Sequence, residues 1–383
     1  MLSLCLLLIP SLSSLAAVSE AGIGALLVLL TGLGLLTDVP VGAAVDKYGP
    51  KRVILLGALL FLLGSLCLKL DATVWILTVS AACLGVATSL VINPVLGVLS
   101  ATAESSQGRT QFFNVVLQRG GALMAVLMLL GQSDTAVFSQ GVTGAVVISC
   151  VMLICALMLP NGSPSATVIL DDLKPIRSWR ETSRVQAFVK AYELARNSPD
   201  VAMGSLGNAM VPALLIFGGS FFPLKLWLDG SMDALVPALA LREIVAVASA
   251  LLAVAFHKRI GLRLLMNGSM LVSAASIAGL VFITNTTLLI VAFAMHGVGI
   301  GVGVWVGNMH MYKGTSIIDR VRGYTVSSIA NRIAGILLPV GFAWAWGFSH
   351  STLLLAVSAT LCVLLLFYNF SGRRLKTARV GYE

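Results

Sequence analysis

The chain has 383 residues, of which 58% are hydrophobic and only 11% charged, with a formal net charge of +9. A soluble domain carries about a quarter charged residues, so this chain cannot cover a water-exposed body and its solvent must be lipid. The positive balance alone would also suit nucleic acid, a reading that the placement of the charges excludes.

A bilayer core is crossed by about 20 apolar residues of helix, and lipid offers the backbone no hydrogen-bond partners, so each long apolar run is predicted to be a helix. A short run, 1–16, comes first. Runs over 22–45, 53–70, 73–99, 110–131 and 142–160 follow it, then 201–223, 234–256, 264–283, 286–309, 323–347 and 351–370. Prolines and glycines inside these runs, such as Pro94 after Asn93, read as kinks and not as ends. The cysteines (Cys5, Cys67, Cys83, Cys150, Cys155, Cys362) stand singly in apolar sequence without metal or redox spacing and read as small hydrophobes.

Residues 161–200 form the one long polar segment and divide the chain near its middle. Ser178 and Glu181 have capping-box spacing. Trp179, Val185, Phe188, Val189 and Tyr192 then recur at helical spacing, which predicts a helix lying on the membrane surface.

Placing the loop at 42–52 in the cytoplasm puts 20 of the 25 basic residues on that side, among them Lys47, Lys51, Arg52, Arg109, Lys258, Arg259, Arg263, Lys313, Arg320 and Arg322. Lys69 and Lys225 fall outside, and Arg119, Arg242 and Arg332 fall within helices. The charge of +9 is therefore a positive-inside bias that orients a membrane protein. No nucleic-acid partner is expected.

The two parts of the chain echo each other at a fixed offset. Gly49 answers Gly261 and Gly85 answers Gly297 after 212 residues; Arg109 answers Arg322 and Arg119 answers Arg332 after 213. Four matches in corresponding loops and helices indicate duplication of a six-helix unit, an architecture known among transporters. Pro10 pairs with Pro223 at the same offset, so the first span is expected to be truncated at its cytoplasmic end. The competing reading is a signal peptide ending in "SLSSLAAVSE", but no basic residue precedes Lys47.

The loop 42–52 reads "GAAVDKYGPKR", with Gly42, Asp46, Lys47, Gly49, Lys51 and Arg52 at the spacing G-x-x-x-D-K-x-G-x-K-R. This resembles the signature between the second and third helices of the major facilitator superfamily (MFS), with Pro50 inserted in its basic run. A degenerate second copy lies at 257–263. The resemblance implies an all-α integral membrane protein with twelve spans in two six-helix bundles, residues 1–160 and 201–372, related by a pseudo-two-fold repeat. Residues 161–200 would be the cytoplasmic linker and 373–383 a cytoplasmic tail. It also implies that the acidic residue of the motif binds across the two bundles near the start of the eleventh span, latching one state of alternating access. Gly42 suits close helix approach and Gly49 a turn with positive φ. Asp38, Gly42 and Asp46 share one helix face. The plainer reading is a basic loop that only sets topology.

Charges inside membrane helices are candidates for function. Arg119 and Arg332 lie near the midplane of their spans and are related by the repeat. With Arg242 they would form an electropositive cavity that grips a carboxylate or phosphate bidentately, with Asn208, Asn308, Gln118 and Asn331 adding polar contacts. The alternative is internal neutralisation, with Arg242 paired to an acid on another helix and the other two bonded to backbone carbonyls. Glu243, then Asp38, are the candidates for proton coupling, since burial moves carboxyl titration toward neutrality. His296 is a third, although a histidine beside glycines also serves packing. The glycines of "HGVGIGVG" (296–303) follow no strand and suit tight helix packing, not phosphate binding.

A proline-bearing export motif is missing from the fifth span and an arginine from the start of the fourth, which weighs against a drug exporter; no P-loop is present, so an ion or solute gradient is the expected driving force. The expected function is a monomeric secondary transporter of the plasma membrane, without cofactor or metal. It would move a small anionic organic solute by alternating access, coupled to protons. The alternatives are an exporter of hydrophobic or cationic compounds, and a non-transporting sensor or assembly factor on the same fold. No nucleophile–base pair points to an enzyme.

Overall fold

The computed structural model describes residues 20–70, 73–100, 107–127, 134–159, 193–228, 231–315 and 320–380. The first run, 1–16, and the predicted surface helix from Ser178 lie outside the described residues. Helices account for nearly all of the rest. They are α1 (Glu20–Tyr48), α2 (Pro50–Leu70), α3 (Val74–Ser100), α4 (Gln107–Leu127) and α5 (Asp134–Met158) in the first part. In the second they are α6 (Pro199–Ile216), α7 (Phe222–Leu228), α8 (Leu235–Ile260), α9 (Leu262–Gly279), α10 (Thr286–Met295), α11 (Gly297–Gly314), α12 (Arg320–Phe348) and α13 (His350–Val380).

Nine helical stretches among the described residues are long and apolar enough to cross a bilayer. The 21-residue α4 is not one of them, because Gln111, Asn114, Gln118 and Arg119 interrupt its apolar character. Two predicted spans are interrupted helices. A π-helical turn, Phe217–Phe221, joins α6 to α7, and His296 separates α10 from α11. Such interruptions free or shift backbone groups and often mark functional positions. Pro40, Pro94, Pro212 and Pro339 all lie inside helices, which neighbouring helices make tolerable in lipid.

The repeat is visible in the backbone. Gly49 and Gly261 link consecutive helices with φ of +81° and +82°, a conformation that costs glycine nothing and other residues strain. A Cβ on Gly85 would collide with the Leu30 carbonyl of α1, and one on Gly297 with the Arg242 carbonyl of α8. Leu30 and Arg242 are themselves 212 residues apart, so the same helix crossing is built twice. Between the two parts, α1 packs on α12 and α4 on α8.

In "HGVGIGVG", Gly299 faces Ser273 and Leu214, Gly301 faces the Ala246 carbonyl of α8, and Gly303 faces Met270 and Val211. Close backbone approach is the role of these glycines. Gly301→Ala is therefore expected to destabilise the protein by about 1–3 kcal/mol through overpacking, read as a lower thermal midpoint. Gly268→Ala, where a Cβ meets nothing within 4 Å, is the matched control and should leave the midpoint unchanged or slightly raised.

Candidate substrate site between the two bundles

The end of the molecule that carries the turns at Gly49 and Gly261 is called here the motif end. Arg119 and Arg332 each lie twelve residues into helices that start there, which places both about 18 Å from it. They belong to α4 and α12, the repeat-related helices, and each reaches a carboxylate on the other bundle.

On one side of the interface, Arg332 Nε lies 3.4 Å from Asp38 Oδ2 of α1. The carboxylate is fully engaged. Ser328 Oγ donates to Oδ2 at 2.6 Å, and Asn93 Nδ2 donates to Oδ1 at 2.8 Å. Arg332 Nη2 also donates to Ser89 Oγ at 3.0 Å, while Ser89 donates to the Gly34 carbonyl at 2.9 Å. A Cβ at Gly34 would stand 2.5 Å from Arg332 Nη1, so glycine lets the guanidinium lie flat against α1. Thr31 Oγ1 donates to the Gly335 carbonyl at 3.3 Å one turn further along.

On the other side, Arg119 Nη1 lies 3.6 Å from Glu243 Oε2 of α8. Glu243 also pairs with its neighbour Arg242, whose Nε donates to Oε1 at 2.9 Å and whose Nη2 donates to the same atom. All three side chains are buried: Arg119 is 7%, Arg242 2% and Glu243 0% exposed. Two guanidiniums thus share one carboxylate. Arg119 Nε and Nη1, Arg242 Nη1 and Glu243 Oε2 have no hydrogen-bond partner among the described residues. A buried donor left unpaired costs about 1–3 kcal/mol, more when charged.

The π-turn brings Gly218 to the same place. A Cβ there would stand 2.5 Å from Arg242 Nη1 and 2.8 Å from His296 Nε2. His296 Nδ1 donates to the Phe293 carbonyl, which leaves Nε2 without a partner among the described residues. Phe293 lies under Arg242 at 5.9 Å from guanidinium carbon to ring centroid, within cation–π range.

A third, uncharged cluster links four helices nearer the motif end. Asn208 of α6 donates to Ser327 of α12 at 2.6 Å, and Asn308 of α11 donates to Gln111 of α4 at 3.1 Å. The Asn208 and Asn308 amides are 3.5 Å apart. These two asparagines therefore tie helices together.

The residues named from sequence thus divide. Arg119, Arg242, Glu243 and His296 come together; Arg332 and Asp38 form a separate pair; Asn331 is exposed on α12. Of the motif, Gly49 turns the chain, Lys51 and Arg52 lie at the start of α2, and the side chains of Asp46 and Lys47 lie outside the described residues. Sequence reasoning passed over Ser89, Asn93, Ser328 and Gly34. The available signal was spacing: Gly34–Asp38, Ser89–Asn93 and Ser328–Arg332 are each i, i+4 pairs on otherwise apolar helices. Among the described residues no group of histidine, cysteine or acidic side chains could hold a metal.

A family model described as Major Facilitator Superfamily matches residues 2–339. No protein with a curated description matches the sequence. Among solved structures, the chain is similar to the partially occluded inward-open conformation of the xylose transporter XylE from E. coli, with a TM-score of 0.72. The identity is 10%, over 95% of this chain and 92% of that one, a likeness of fold.

Proposed function

From the premise that the chain belongs to the major facilitator superfamily, a family of secondary transporters, we propose that it carries a small organic anion by alternating access, coupled to protons. The observation that carries this reading is the mismatch of two buried guanidiniums to one carboxylate, with donors of Arg119 and Arg242 left unpaired. An arriving carboxylate supplies the missing acceptor. It competes with Glu243 for the same donors, so a proton on Glu243 releases the arginines while conserving the charge of the site. Glu243 suits this better than Asp38, because its Oε2 lacks a hydrogen bond whereas both oxygens of Asp38 are held.

The two ion pairs lie at different depths. Asp38 is ten residues, about 15 Å, from the motif end of α1, and Glu243 is seventeen residues, about 26 Å, from the same end of α8. Arg332 therefore ties the bundles on the motif side of the centre and Arg119 on the far side. Opening toward the motif end breaks the first pair, and opening toward the far end breaks the second. In this reading the protein is a monomer in the plasma membrane, with the motif end in the cytoplasm.

Thermal stabilisation of the purified protein by a panel of small anions, cations, sugars and lipophilic drugs tests the substrate class. Binding to the folded form stabilises by RT ln(1 + [L]/Kd), about 2.7 kcal/mol at a hundredfold excess over Kd. An organic anion should raise the midpoint, and Arg119→Ala should abolish the rise. Stabilisation only by cationic or neutral lipophilic compounds, equal in the variant, would instead assign the protein to export of such compounds.

A further inference from the structure

A polar cluster at the motif end of the second bundle takes no part in the ion pairs near the centre. His310 of α11 is buried, yet both of its ring nitrogens have polar partners. Nδ1 lies 2.8 Å from Asp200 Oδ1 in the first turn of α6, and Nε2 lies 2.9 Å from the Tyr368 hydroxyl of α13. An acid in the first turn suits a helix N-terminus by itself, but this one reaches a neighbouring helix. The two helices touch there. Ser198, the cap of α6, donates to the Gly314 carbonyl of α11 at 2.9 Å, and a Cβ on Gly314 would stand 2.8 Å from Asp200 Cβ. The Asp200 side chain is 25% exposed, so the cluster meets water on the motif side. His310 lies four residues, about 6 Å, from the end of α11, against about 26 Å for Glu243 on α8.

This bonding lets a proton be added without the loss of a bond. A carboxylate only accepts, so beside ionised Asp200 the Nδ1 atom carries the hydrogen, and Nε2 of the neutral ring accepts from the Tyr368 hydroxyl. A proton added at Nε2 reverses that second bond, because a hydroxyl oxygen can accept as well as donate. What changes is the bond to Asp200, which becomes an ion pair. The other charged and titratable groups nearby have partners of their own or face solvent. Arg263 of α9 lies on the Tyr368 side, where its Nε and Nη2 donate to Asn369, each at 2.9 Å. His257 of α8 lies against Trp305, more than a turn back along α11. Lys313, Glu193 and Arg196 are exposed.

The segment that carries His310 also holds the other bundle. Asn308, two residues earlier and so on the opposite side of α11, donates to Gln111 of α4. Opening the motif end parts those two residues and moves the last turns of α11. We propose that His310 is a proton sensor on the motif side: once protonated it grips Asp200 more tightly, holds α11 against α6 and favours the tied arrangement seen here over the open one. A proton shifts such a balance only by binding one arrangement better than the other, and the intact pair with Asp200 supplies the difference. Histidine is the side chain whose charge ordinarily changes between about pH 5 and 8. Acid on the motif side therefore restrains opening through His310, apart from any coupling at Glu243.

The test follows a single cysteine on the motif side of the centre, in the full-length protein freed of its native cysteines, as it reacts with a membrane-impermeant thiol reagent. Dividing its rate by that of the same cysteine in His310→Gln cancels the ionisation of the thiol, of Asp38 and of Glu243. Between about pH 7.5 and 5.5 this ratio should fall about threefold or more, equivalent to about 0.65 kcal/mol. Tyr368→Phe leaves the Asp200–His310 pair in place and should keep the fall. Asp200→Asn, which can bond the ring but carries no charge, should abolish it. NMR of the histidine-labelled protein gives a reading that needs no substitution at 310. Of the four histidines, the one whose signal moves in Tyr368→Phe should titrate between about pH 5 and 8. A ratio that stays level with pH, a fall that survives Asp200→Asn, or a His310 signal that does not titrate in that range overturns the proposal.

Discussion

Glu243→Gln, reconstituted into liposomes, is expected to lose accumulation driven by a pH gradient by about tenfold or more, a change of about 1.4 kcal/mol, while exchange of substrate across the membrane persists. Glutamine keeps the volume and an acceptor for Arg242, but it cannot take up and release a proton. Its second consequence is thermodynamic. Removing one member of a buried ionic group costs about 3–5 kcal/mol, because the remaining charges stay buried without a counter-charge. Here the remaining charges are Arg119 and Arg242, both less than a tenth exposed. An organic anion restores what the variant lost, so its stabilising effect should be larger on Glu243→Gln than on the unaltered protein. Proton-driven accumulation that survives the substitution would place the coupling group elsewhere, and Asp38 would be the next residue to examine.

Asp38→Asn should act on conformation instead of coupling. The Asp38 carboxylate collects Arg332, Ser328 and Asn93 from two other helices and both bundles. A charge-assisted hydrogen bond contributes about 1.5–3 kcal/mol, so its loss should shift the balance between the two access states by about 30-fold. The direction follows from depth: the variant should favour opening at the motif end. Cysteine accessibility, measured at positions introduced on either side of the centre, reads the shift. Glu243→Gln loosens the Arg119 tie on the far side and should shift the same reporters the opposite way. Parallel shifts in the two variants would sink the idea of opposed latches.

The repeat explains why the two ties are not equivalent. Adding the offset of 212 to Thr31 gives Glu243, and adding it to Asp38 gives Ala250. Among the described residues, the duplicated helices α1 and α8 thus carry their engaged carboxylates at positions seven residues apart, two turns of helix. The arginines, at 119 and 332, kept the same depth. A duplicated unit with its acids placed asymmetrically yields one tie on each side of the centre.

Fold class and repeat were legible because lipid imposes simple rules. Apolar runs must be helices, and Gly49, Gly261, Gly85 and Gly297 recur where backbones turn or touch. The grouping of charges was less legible. Sequence alone places Arg119 and Arg332 at one depth and so suggests one shared site, yet each is drawn to a carboxylate on a different side of the interface. Depth along a helix can be counted from residues, but azimuth across an interface depends on which helices pack together. Ser89 and Ser328 stayed hidden for a related reason: small hydroxyls often serve their own helix backbone, as Ser65 and Thr88 do here. The breaks at Phe217–Phe221 and at His296 were not visible either. "FGGS" and "MHGVG" read as ordinary small-residue packing until α8 is set against them.

The most direct test of the central claim is uptake of a labelled organic monocarboxylate into liposomes holding the purified protein, beside Arg119→Ala and Arg242→Ala. Saturable uptake, concentrative under an imposed pH gradient and reduced about 100-fold or more in both variants, the loss of about 2.7 kcal/mol of binding, is the predicted result. The contradicting result is a protein that carries no monocarboxylate above the level of empty liposomes, yet transports a neutral or cationic solute equally well with and without the two arginines.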